Sequence, residues 1–483
     1  MNVLFVAAEM APLVKVGGLG DVAGSLPRAL RALGLDVRVA LPLYASIDRR
    51  QLAVTRLSSL PAGAALWQAE VRDVSAYLIE HEPSFGREQI YGYPDDVERF
   101  LAFCDALLAA ADGLDWRPDL LHLNDWHTGF LAARLQGEAV HPWAGLPQVC
   151  TIHNLAFSGR FDAAFARKHG LTAQALAAPT GVAAGVVRSA LGQSLLHADL
   201  VTTVSPTYAR EILTPEFGGE LAPLLRSASG GGDRLSGILN GIDVEEYDPA
   251  ADPHLAARFD AQRLERRIEN KRALQERLGL PVDDGVPLAG MVTRLFRQKG
   301  PDLAAAAVER LLARRQLQFA VLGQGDEQHE RPLAELAARH PQRVAVRLAF
   351  DPPLGQLIYG GCDVFLMPSR YEPCGLGQLI AMRYGAVPLV RRTGGLADSV
   401  APYDGARDEG TGFVFEEPST EALAAALEEA LAVYEDRAAW RRLQLRAMAQ
   451  DFSWGRAAGE YVELYERAAR LRAEAAQVGE AGR

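Results

Sequence analysis

The stretch VLFVAAEMAPLVKVGGLGDVAGSLPRALRAL at residues 3–33 decides the fold class. It begins with an apolar run at residues 3–8, typical of a buried strand, and ends with apolar residues at helical spacing over residues 22–33. A glycine-rich loop at residues 15–21 lies between them. Glycines let backbone N–H groups approach a ligand, and a helix start adds partial positive charge. Because Lys15 adds a full positive charge, the loop is predicted to bind an anionic group such as a phosphate.

The same alternation of strand and helix continues along the chain and restarts once, after Gly237. Strand candidates lie at residues 37–41, 76–79, 120–123, 149–152 and 200–204 in the first part, and at residues 238–239, 288–292, 319–322, 344–348, 364–367 and 387–390 in the second. Alternating strands and helices predict mostly parallel sheets with helices on both faces. Since 483 residues are too many for one core, we expect two α/β domains, at residues 1–236 and 237–451. A helical segment at residues 452–483 is expected to pack back on the first domain.

Composition and charge narrow the class of protein. Hydrophobic residues make up 49% of the chain and charged residues 23%, which is typical of a soluble globular protein. The net charge of −11 argues against a nucleic acid or an anionic membrane as partner. The sequence shows no basic segment with a cleavage site at its start and no apolar run of about 18 residues. The 4 cysteines lack the spacing of a metal site or a disulfide framework, so we expect a cytoplasmic protein, and the oligomeric state stays open.

Two polar clusters follow predicted strands of the first domain, where ligands bind in open α/β sheets. Asn124-Asp125-Trp126-His127 follows one strand, and His153-Asn154 follows the next. Asp125 has the chemistry to accept a hydroxyl proton or to fix a sugar hydroxyl, and His153 can bind a sugar hydroxyl. A single histidine at such a place is more often a hydrogen-bonded structural residue, but two neighbouring polar clusters favour a functional role.

Cations and a carboxylate follow strands of the second domain. Arg294 and Lys299 follow the strand at residues 288–292, and a diphosphate pairs well with both, because Arg binds two oxygens at once and Lys acts as a point charge. A solvated basic loop is the alternative. Glu372 precedes a helix predicted at residues 375–384. Because a lone carboxylate would repel a phosphate, Glu372 is expected to face the part of the substrate that becomes cationic.

Other glycine motifs carry less information. Residues 391–398 form another strand-to-helix turn suited to an anion, whereas the turn at residues 323–326 is expected to be structural. The spacing Gly18-x-Gly20-x-x-x-Gly24 departs from the dinucleotide fingerprint, and Asp36 precedes the second strand instead of ending it, so an NAD site is not expected. A purely structural turn remains the alternative for the loop at residues 15–21.

Taken together, these motifs resemble those of the bacterial glycogen synthases and plant starch synthases over nearly the full length. Members of that family are retaining glucosyltransferases with the α/β GT-B fold, in which two Rossmann-like domains face each other across a deep interdomain cleft. The resemblance rests on residues 15–22, 124–127, 153–154, 205–208, 240–241, 294 with 299, 372–375, 391–398 and 451–454. It implies transfer of glucose from ADP-glucose to the non-reducing end of an α-1,4-glucan, with retention of configuration and release of ADP. It also implies glycogen biosynthesis as the setting, with no metal and no cofactor.

The resemblance also implies roles for individual residues. Arg294 and Lys299 should neutralise the leaving diphosphate, and Glu372 should hold glucose hydroxyls and stabilise positive charge at the reacting carbon. His153 should bind a glucose hydroxyl, and Asp125 should act on the acceptor side. Substrate contacts are implied for Lys15, Gly17, Gly18, Asp21, Asn154, Asn240, Phe350, Cys374, Gly375, Leu376, Gly377 and Thr393. In this set Lys15 and the Gly17-Gly18 backbone contact the nucleotide sugar, the N–H groups of residues 375–377 bind glucose hydroxyls and the distal phosphate, and Phe350 stacks on the adenine. Tyr91 is a weaker acceptor-side candidate.

Two positions depart from the family, and three rival functions compete. Gly377 stands where relatives often carry Thr, and Phe350 replaces Tyr, which leaves the preference between ADP-glucose and UDP-glucose open.

A phosphorylase would need a pyridoxal cofactor on a lysine. A sucrose- or trehalose-phosphate-forming enzyme would release a small product, and a glucan-binding scaffold would release no ADP. The intact set of Lys15, Arg294, Lys299 and Glu372 argues against the scaffold.

Overall fold

The computed structural model describes residues 1–136, 140–173 and 175–481. The chain divides into two compact units: Met1–Gly241 with Trp454–Arg483 form the first unit, and Ile242–Ser453 form the second. The sequence had placed these boundaries after residues 236 and 451. Residues 482 and 483, the end of the predicted helical segment, lie outside the described residues. Within the described ranges, no helix is both long enough and apolar enough to cross a membrane.

The first unit is built on a nine-stranded sheet. Its strands are β1 (Asn2–Val6), β2 (Asp36–Pro42), β3 (Val54–Ser59), β4 (Ala65–Val71), β5 (Val74–Glu80), β6 (Leu120–Asn124), β7 (Gln148–Ile152), β8 (Leu200–Thr203) and β9 (Leu235–Gly237). Their order in the sheet is β3-β4-β5-β2-β1-β6-β7-β8-β9. In this sheet order, every neighbouring pair from β5 to β9 is parallel, which confirms the predicted sheet type. The pairs β3–β4 and β4–β5 are antiparallel.

Helices connect the parallel strands of the first unit. They are α1 (Gly18–Ala32), α2 (Glu82–Phe85), α3 (Asp96–Ala109), α4 (Gly129–Leu135), α5 (Ala163–Lys168), α6 (Ala184–Val187), α7 (Ala190–His197), α8 (Pro206–Glu211), α9 (Pro215–Gly218) and α10 (Ala222–Ala228). Helix α1 begins at Gly18, so the end of the glycine-rich loop is already the first helical turn. The sequence had started this helix at Val22, where the apolar periodicity begins.

The second unit contains a six-stranded sheet in which every pair is parallel. Its strands are β10 (Leu288–Val292), β11 (Gln318–Leu322), β12 (Val344–Arg347), β13 (Val364–Met367), β14 (Val387–Arg391) and β15 (Phe413–Phe415), in the order β12-β11-β10-β13-β14-β15. Its helices are α11 (Arg267–Leu278), α12 (Pro301–Leu312), α13 (Glu327–Arg339), α14 (Pro352–Gly361), α15 (Gly377–Arg383), α16 (Gly394–Ser399), α17 (Thr420–Glu435) and α18 (Arg437–Met448).

One predicted strand is wrong, and it lies at the junction of the two units. Ile238 and Leu239 are not in a strand; they follow β9, the edge strand of the first sheet. The Ile238 N–H still donates to the Thr203 carbonyl at 2.8 Å, so the chain leaves the sheet directly after that bond. Apolar character alone had marked these residues as a strand of the second sheet.

The chain returns to the first unit through one long helix, α19 (Trp454–Ala481). Its Tyr461 and Tyr465 are fully buried, and the Tyr465 hydroxyl lies 2.8 Å from Nδ1 of His122 on β6. Apolar residues repeat at helical spacing on this face, and their burial holds α19 against the core of the first unit.

Candidate active site

The carboxyl ends of β1, β6 and β7 carry the polar clusters of the first unit. These strands are parallel neighbours, so residues that follow them lie at the same edge of the sheet. Asp125 follows β6 with a φ of 56°, a conformation that residues other than glycine seldom adopt. Its Oδ1 accepts hydrogen bonds from the backbone N–H groups of His153, at 2.7 Å, and Asn154, at 3.3 Å. The sheet therefore joins the two clusters that the sequence singled out.

Burial decides the charge of Asp125. The residue is 8% exposed, and burial raises its pKa to about 7, against the lowering effect of the two N–H bonds. The carboxyl therefore holds its proton over part of the neutral pH range. A sugar hydroxyl can donate to the ionised form and accept from the protonated form.

His153 offers a hydrogen-bond acceptor. The Asn124 amide nitrogen donates to the Val6 carbonyl at 3.0 Å, so the Asn124 side-chain oxygen is left as the acceptor for Nε2 of His153, at 2.9 Å. Burial lowers the pKa of His153 to about 3, which keeps the ring neutral. With its proton on Nε2, the ring presents Nδ1 as an acceptor, which suits a donating hydroxyl.

Glu9, which no motif in the sequence indicates, organises the glycine-rich loop. Its Oε2 accepts the N–H groups of Val16, at 2.6 Å, and Gly17, at 3.0 Å, and its Oε1 accepts the Tyr91 hydroxyl at 2.8 Å. The Gly17 N–H thus donates to Glu9 in this structure, whereas the contact of the Gly17-Gly18 backbone with a nucleotide sugar stays a prediction. Lys15 forms an ion pair with Asp21 at 2.6 Å and keeps 38% of its side chain exposed, so its ammonium remains accessible.

The loop offers an open face at its two consecutive glycines. Among the described residues, none comes within 4 Å of where a Cβ on Gly17 or Gly18 would lie. Gly17 has an extended backbone, with φ of −145°, that any residue adopts. Neither steric crowding nor the backbone angle requires glycine at position 17, whereas close approach by a ligand would require it.

In the second unit, Lys299 and the buried carboxylate of Glu372 form an ion pair. Nζ of Lys299 lies 2.6 Å from Oε2 of Glu372, and the Ser369 hydroxyl donates to the same oxygen at 2.9 Å. Glu372 is 4% exposed. The sequence had assigned these two charges to opposite ends of the donor, but in the structure each neutralises the other.

Two glycines of α16 fix the loop that carries Glu372. The Gly395 N–H donates to the Glu372 carbonyl at 3.1 Å. A Cβ on Gly394, which has φ of 44°, would lie 1.9 Å from that same carbonyl oxygen, and a Cβ on Gly395 would lie 2.1 Å from the Cys374 carbonyl oxygen. Only glycine permits this approach, so the motif at residues 391–398 positions the loop at residues 372–375.

Arg294 and Phe350 differ from Lys299 and Glu372 because both are exposed. Arg294 follows β10, and its guanidinium lies 5.6 Å from the Phe296 ring. Within the described part of the chain, no carboxylate forms an ion pair with Arg294. Phe350 follows β12 and is 79% exposed, which leaves an aromatic face available to a flat partner.

The remaining candidates lie at the start of α15, at the start of α16 or in the first unit. Helix α15 begins at Gly377 and not at Gly375, which has φ of 75°, so Gly375 and Leu376 lead into the helix. A Cβ on Gly377 would lie 3.1 Å from the Phe365 ring, which leaves little room for a side chain at this position. Cys374 and Thr393 are buried. Asn240 of the first unit is 5% exposed, and its side-chain oxygen has no hydrogen-bond partner among the described residues.

The turn at residues 323–326 has a structural role, as expected. A Cβ on Gly323 would lie 1.8 Å from the Thr293 carbonyl oxygen, and one on Gly325 would lie 2.2 Å from the Leu295 carbonyl oxygen. The two glycines thus let this turn pack against the segment that carries Arg294. The ranges that the structure describes hold no cluster of His, Cys, Asp and Glu that would ligate a metal ion.

Comparisons with known proteins agree with these features. A family model described as the starch synthase catalytic domain matches residues 2–227, and one described as glycosyl transferases group 1 matches residues 274–443. A curated glycogen synthase of Syntrophotalea carbinolica is 46% identical over 98% of this chain and 99% of its own length. One of Anaeromyxobacter dehalogenans is 47% identical over 96% of this chain and 99% of its own length.

Solved structures show the same fold. The catalytic domain of Starch Synthase IV from Arabidopsis thaliana, bound to ADP and acarbose, is 36% identical, with a TM-score of 0.88 over 97% of this chain and 99% of that chain. A sucrose-phosphate synthase of Thermosynechococcus elongatus, 20% identical, aligns with a TM-score of 0.61 over 96% of this chain and 98% of that chain. The two parallel-sheet units of this chain are those of the GT-B glycosyltransferase fold.

Proposed function

The chain belongs to the glycogen synthase family of glycosyltransferases, and from that membership we propose that it transfers glucose from ADP-glucose to the non-reducing end of an α-1,4-glucan. The reaction would retain the α configuration and release ADP. Support for the donor and acceptor comes from the related starch synthase, which was solved bound to ADP and acarbose. A cytoplasmic location is also proposed, and it is supported by the cysteines, which are all buried and form no disulfide in the described structure.

The observation that carries the proposal is the charge arrangement of the second unit. As the bond between glucose and phosphate breaks, negative charge grows on the diphosphate and positive charge grows on the sugar. Arg294, exposed and without an ion-pair partner among the described residues, is proposed to bind the diphosphate, together with Lys299. Glu372 is proposed to stabilise the sugar. Such preorganised charges usually supply the largest part of catalysis.

The acceptor is proposed to bind the first unit. Asp125 would hold a hydroxyl of the acceptor, and Nδ1 of the neighbouring His153 would accept a hydrogen bond from a hydroxyl of the glucose that is transferred. We propose attack from the face that the diphosphate leaves. The acceptor oxygen would bond to the anomeric carbon as the phosphate bond breaks, and the departing phosphate oxygen would take the acceptor's proton. This route retains the configuration without a covalent enzyme intermediate.

The test is glucose transfer to a glycogen primer from ADP-glucose and UDP-glucose, measured side by side as nucleotide release and as glucose incorporated into polymer. We expect faster turnover of ADP-glucose and a product that an α-1,4-specific hydrolase degrades fully. A product that resists this hydrolase would refute retention. A small phosphorylated disaccharide as product, or ADP-independent transfer with pyridoxal absorbance, would refute the proposal in favour of a rival enzyme.

Arg294→Ala provides the residue-level test, with Arg297→Ala as its matched control. Both arginines are exposed and lie in one short segment, but only Arg294 is assigned to the diphosphate. Removing one such donor should lower kcat/KM by about 10²–10³-fold in Arg294→Ala. Arg297→Ala should stay near wild type. Equal activity of the two variants would remove Arg294 from the mechanism.

A further inference from the structure

Glu9 forms several hydrogen bonds at the glycine-rich loop, and it has no assigned role in the proposed reaction. It follows β1 and is 4% exposed. Its two oxygens accept three hydrogen bonds, from the N–H groups of Val16 and Gly17 and from the hydroxyl of Tyr91, at 2.6, 3.0 and 2.8 Å. The bonds join segments that are far apart in sequence.

The contacts leave the loop little freedom to move. A Cβ on Gly20 would lie 3.2 Å from Oε2 of Glu9 and 3.2 Å from Cα of Lys15, so the carboxylate and the Lys15 backbone pack together around that glycine. Without Glu9, two backbone N–H groups would lose their acceptor in a partly buried place, which costs free energy unless the loop moves. The position of the Lys15 backbone therefore depends on this carboxylate.

Tyr91 connects the same carboxylate to the cluster after β6. Its ring stacks on the His127 ring, with centroids 5.0 Å apart and planes at 28°. Through Tyr91, Glu9 thus links the loop that carries Lys15 to the segment after β6 that carries Asp125. A carboxylate can serve donors on both sides because both of its oxygens accept.

We propose that Glu9 is a positioning residue, which holds the backbone of residues 15–18 so that the Lys15 ammonium and the open face of Gly17 and Gly18 meet the nucleotide sugar. The inference rests on the proposed function, since it takes the donor to be a nucleotide sugar. Glu9 does not touch the substrate in this role; it acts through the loop.

The competing explanation is a buried carboxylate that only stabilises the fold. Asp252 of the second unit supplies the matched control, because it is 2% exposed and also accepts a tyrosine hydroxyl, from Tyr384 at 2.7 Å, and a backbone N–H, from His254 at 2.8 Å. Asp252→Ala should lower stability and leave transfer kinetics near wild type.

Three variants of Glu9 separate positioning from folding. Glu9→Gln keeps one oxygen for the two N–H groups and turns its amide to the Tyr91 oxygen, which can accept. Glu9→Asp keeps the charge but is one methylene shorter, so it cannot reach both partners in the same way. Glu9→Ala removes every acceptor.

The experiment measures kcat/KM for ADP-glucose together with hydrogen exchange at the amides of Val16 and Gly17. Because small displacements of positioning groups cost about 10²-fold, Glu9→Ala should lose about 100-fold in kcat/KM and should lose protection at both amides. Glu9→Gln should stay within about threefold of wild type, with the protection kept, and Glu9→Asp should fall between them.

Each alternative outcome overturns the inference. Unchanged kinetics in Glu9→Ala, an equal loss in Asp252→Ala, or a Glu9→Gln variant as impaired as Glu9→Ala would do so. If Glu9→Ala does not fold, Glu9→Asp decides, since wild-type kinetics in that variant would also refute positioning. Absence of glucan elongation by the wild type would refute the proposed function alone, because amide exchange still reports whether Glu9 holds the loop.

Discussion

Replacing Lys299 with methionine should destabilise the second unit by about 3 kcal/mol, because it leaves a buried carboxylate without its cation. Glu372 is 4% exposed, and its Oε2 would keep only the Ser369 hydroxyl, at 2.9 Å, out of the two donors that it has now. Removing one partner of a buried pair costs about 3–5 kcal/mol, and the lower end applies because the Lys299 side chain keeps 18% exposure. For a unit of this size, the loss corresponds to a fall in Tm of about 6–12 °C.

A double-mutant cycle tests this reasoning. Glu372→Gln in the Lys299→Met background removes the stranded charge, so the double variant should recover most of the lost stability. Thermal and urea unfolding of the wild type, both single variants and the double variant give the coupling free energy. Glucose transfer should be impaired at least about 100-fold in all three variants, because the double variant restores packing and not charge.

A surface pair in the same unit provides the control. Arg310 and Glu421 lie 3.0 Å apart, but their side chains are 46% and 71% exposed. Arg310→Met should therefore change the free energy of unfolding by less than about 1 kcal/mol. If Lys299→Met were as mild as Arg310→Met, or if the double variant were no more stable than Lys299→Met, the burial argument would be refuted.

Three further outcomes are expected. Burial raises the pKa of Asp125 to about 7, so the stability that this carboxyl contributes is full below about pH 4 and is lost as pH rises through 7. Relative to Asp125→Asn, the wild type should therefore lose up to roughly 4 kcal/mol of unfolding free energy between urea titrations at pH 4 and at pH 8. The same pH dependence of unfolding free energy in both proteins would contradict this. Phe350→Ala should raise KM for ADP-glucose by about 2–10-fold with little change in kcat, whereas Phe350→Tyr should match the wild type in steady-state assays. Gly394→Ala should lower the free energy of unfolding by at least about 2 kcal/mol and remove most of the activity, because Gly394 has φ of 44° and lies against the Glu372 carbonyl. Gly459→Ala is the control: the space around its Cβ is open, so this variant should be neutral or stabilising in thermal unfolding.

The sequence predicted most of the parallel strands of both sheets because these strands are apolar runs with mostly buried residues. Strand β13 appears at its predicted bounds, Val364–Met367, for this reason. Strand β3 was missed because it is an edge strand with mostly exposed residues and no clear alternation. Strand β15 was missed because Phe413–Phe415 is too short to show any period.

The site shows the same division between local and distant signals. Asp125 and His153 were found because each follows a recognisable strand, and parallel neighbouring strands bring such residues to one edge. Glu9 escaped because two of its partners are backbone N–H groups, which carry no side-chain signature, and the third, Tyr91, is distant in sequence. The contact between Lys299 and Glu372 depends on the packing of two separate loops, which no spacing rule encodes.

That contact also resolves a difficulty in the proposed mechanism. An isolated carboxylate close to a diphosphate would repel it, yet the mechanism needs a negative charge for the sugar as its bond breaks. Paired with Lys299 at 2.6 Å, Glu372 presents little net charge to an approaching donor. On this mechanism Arg294 supplies the attraction that binds the diphosphate, and Lys299 shifts its interaction towards the diphosphate as the leaving group gains charge. The negative charge of Glu372 is then less neutralised by Lys299, and it faces the positive charge that develops on the sugar. The two cations would therefore contribute at different stages, so Arg294→Ala should weaken donor binding more than Lys299→Met does, as measured by equilibrium titration with ADP-glucose in the absence of a glucan.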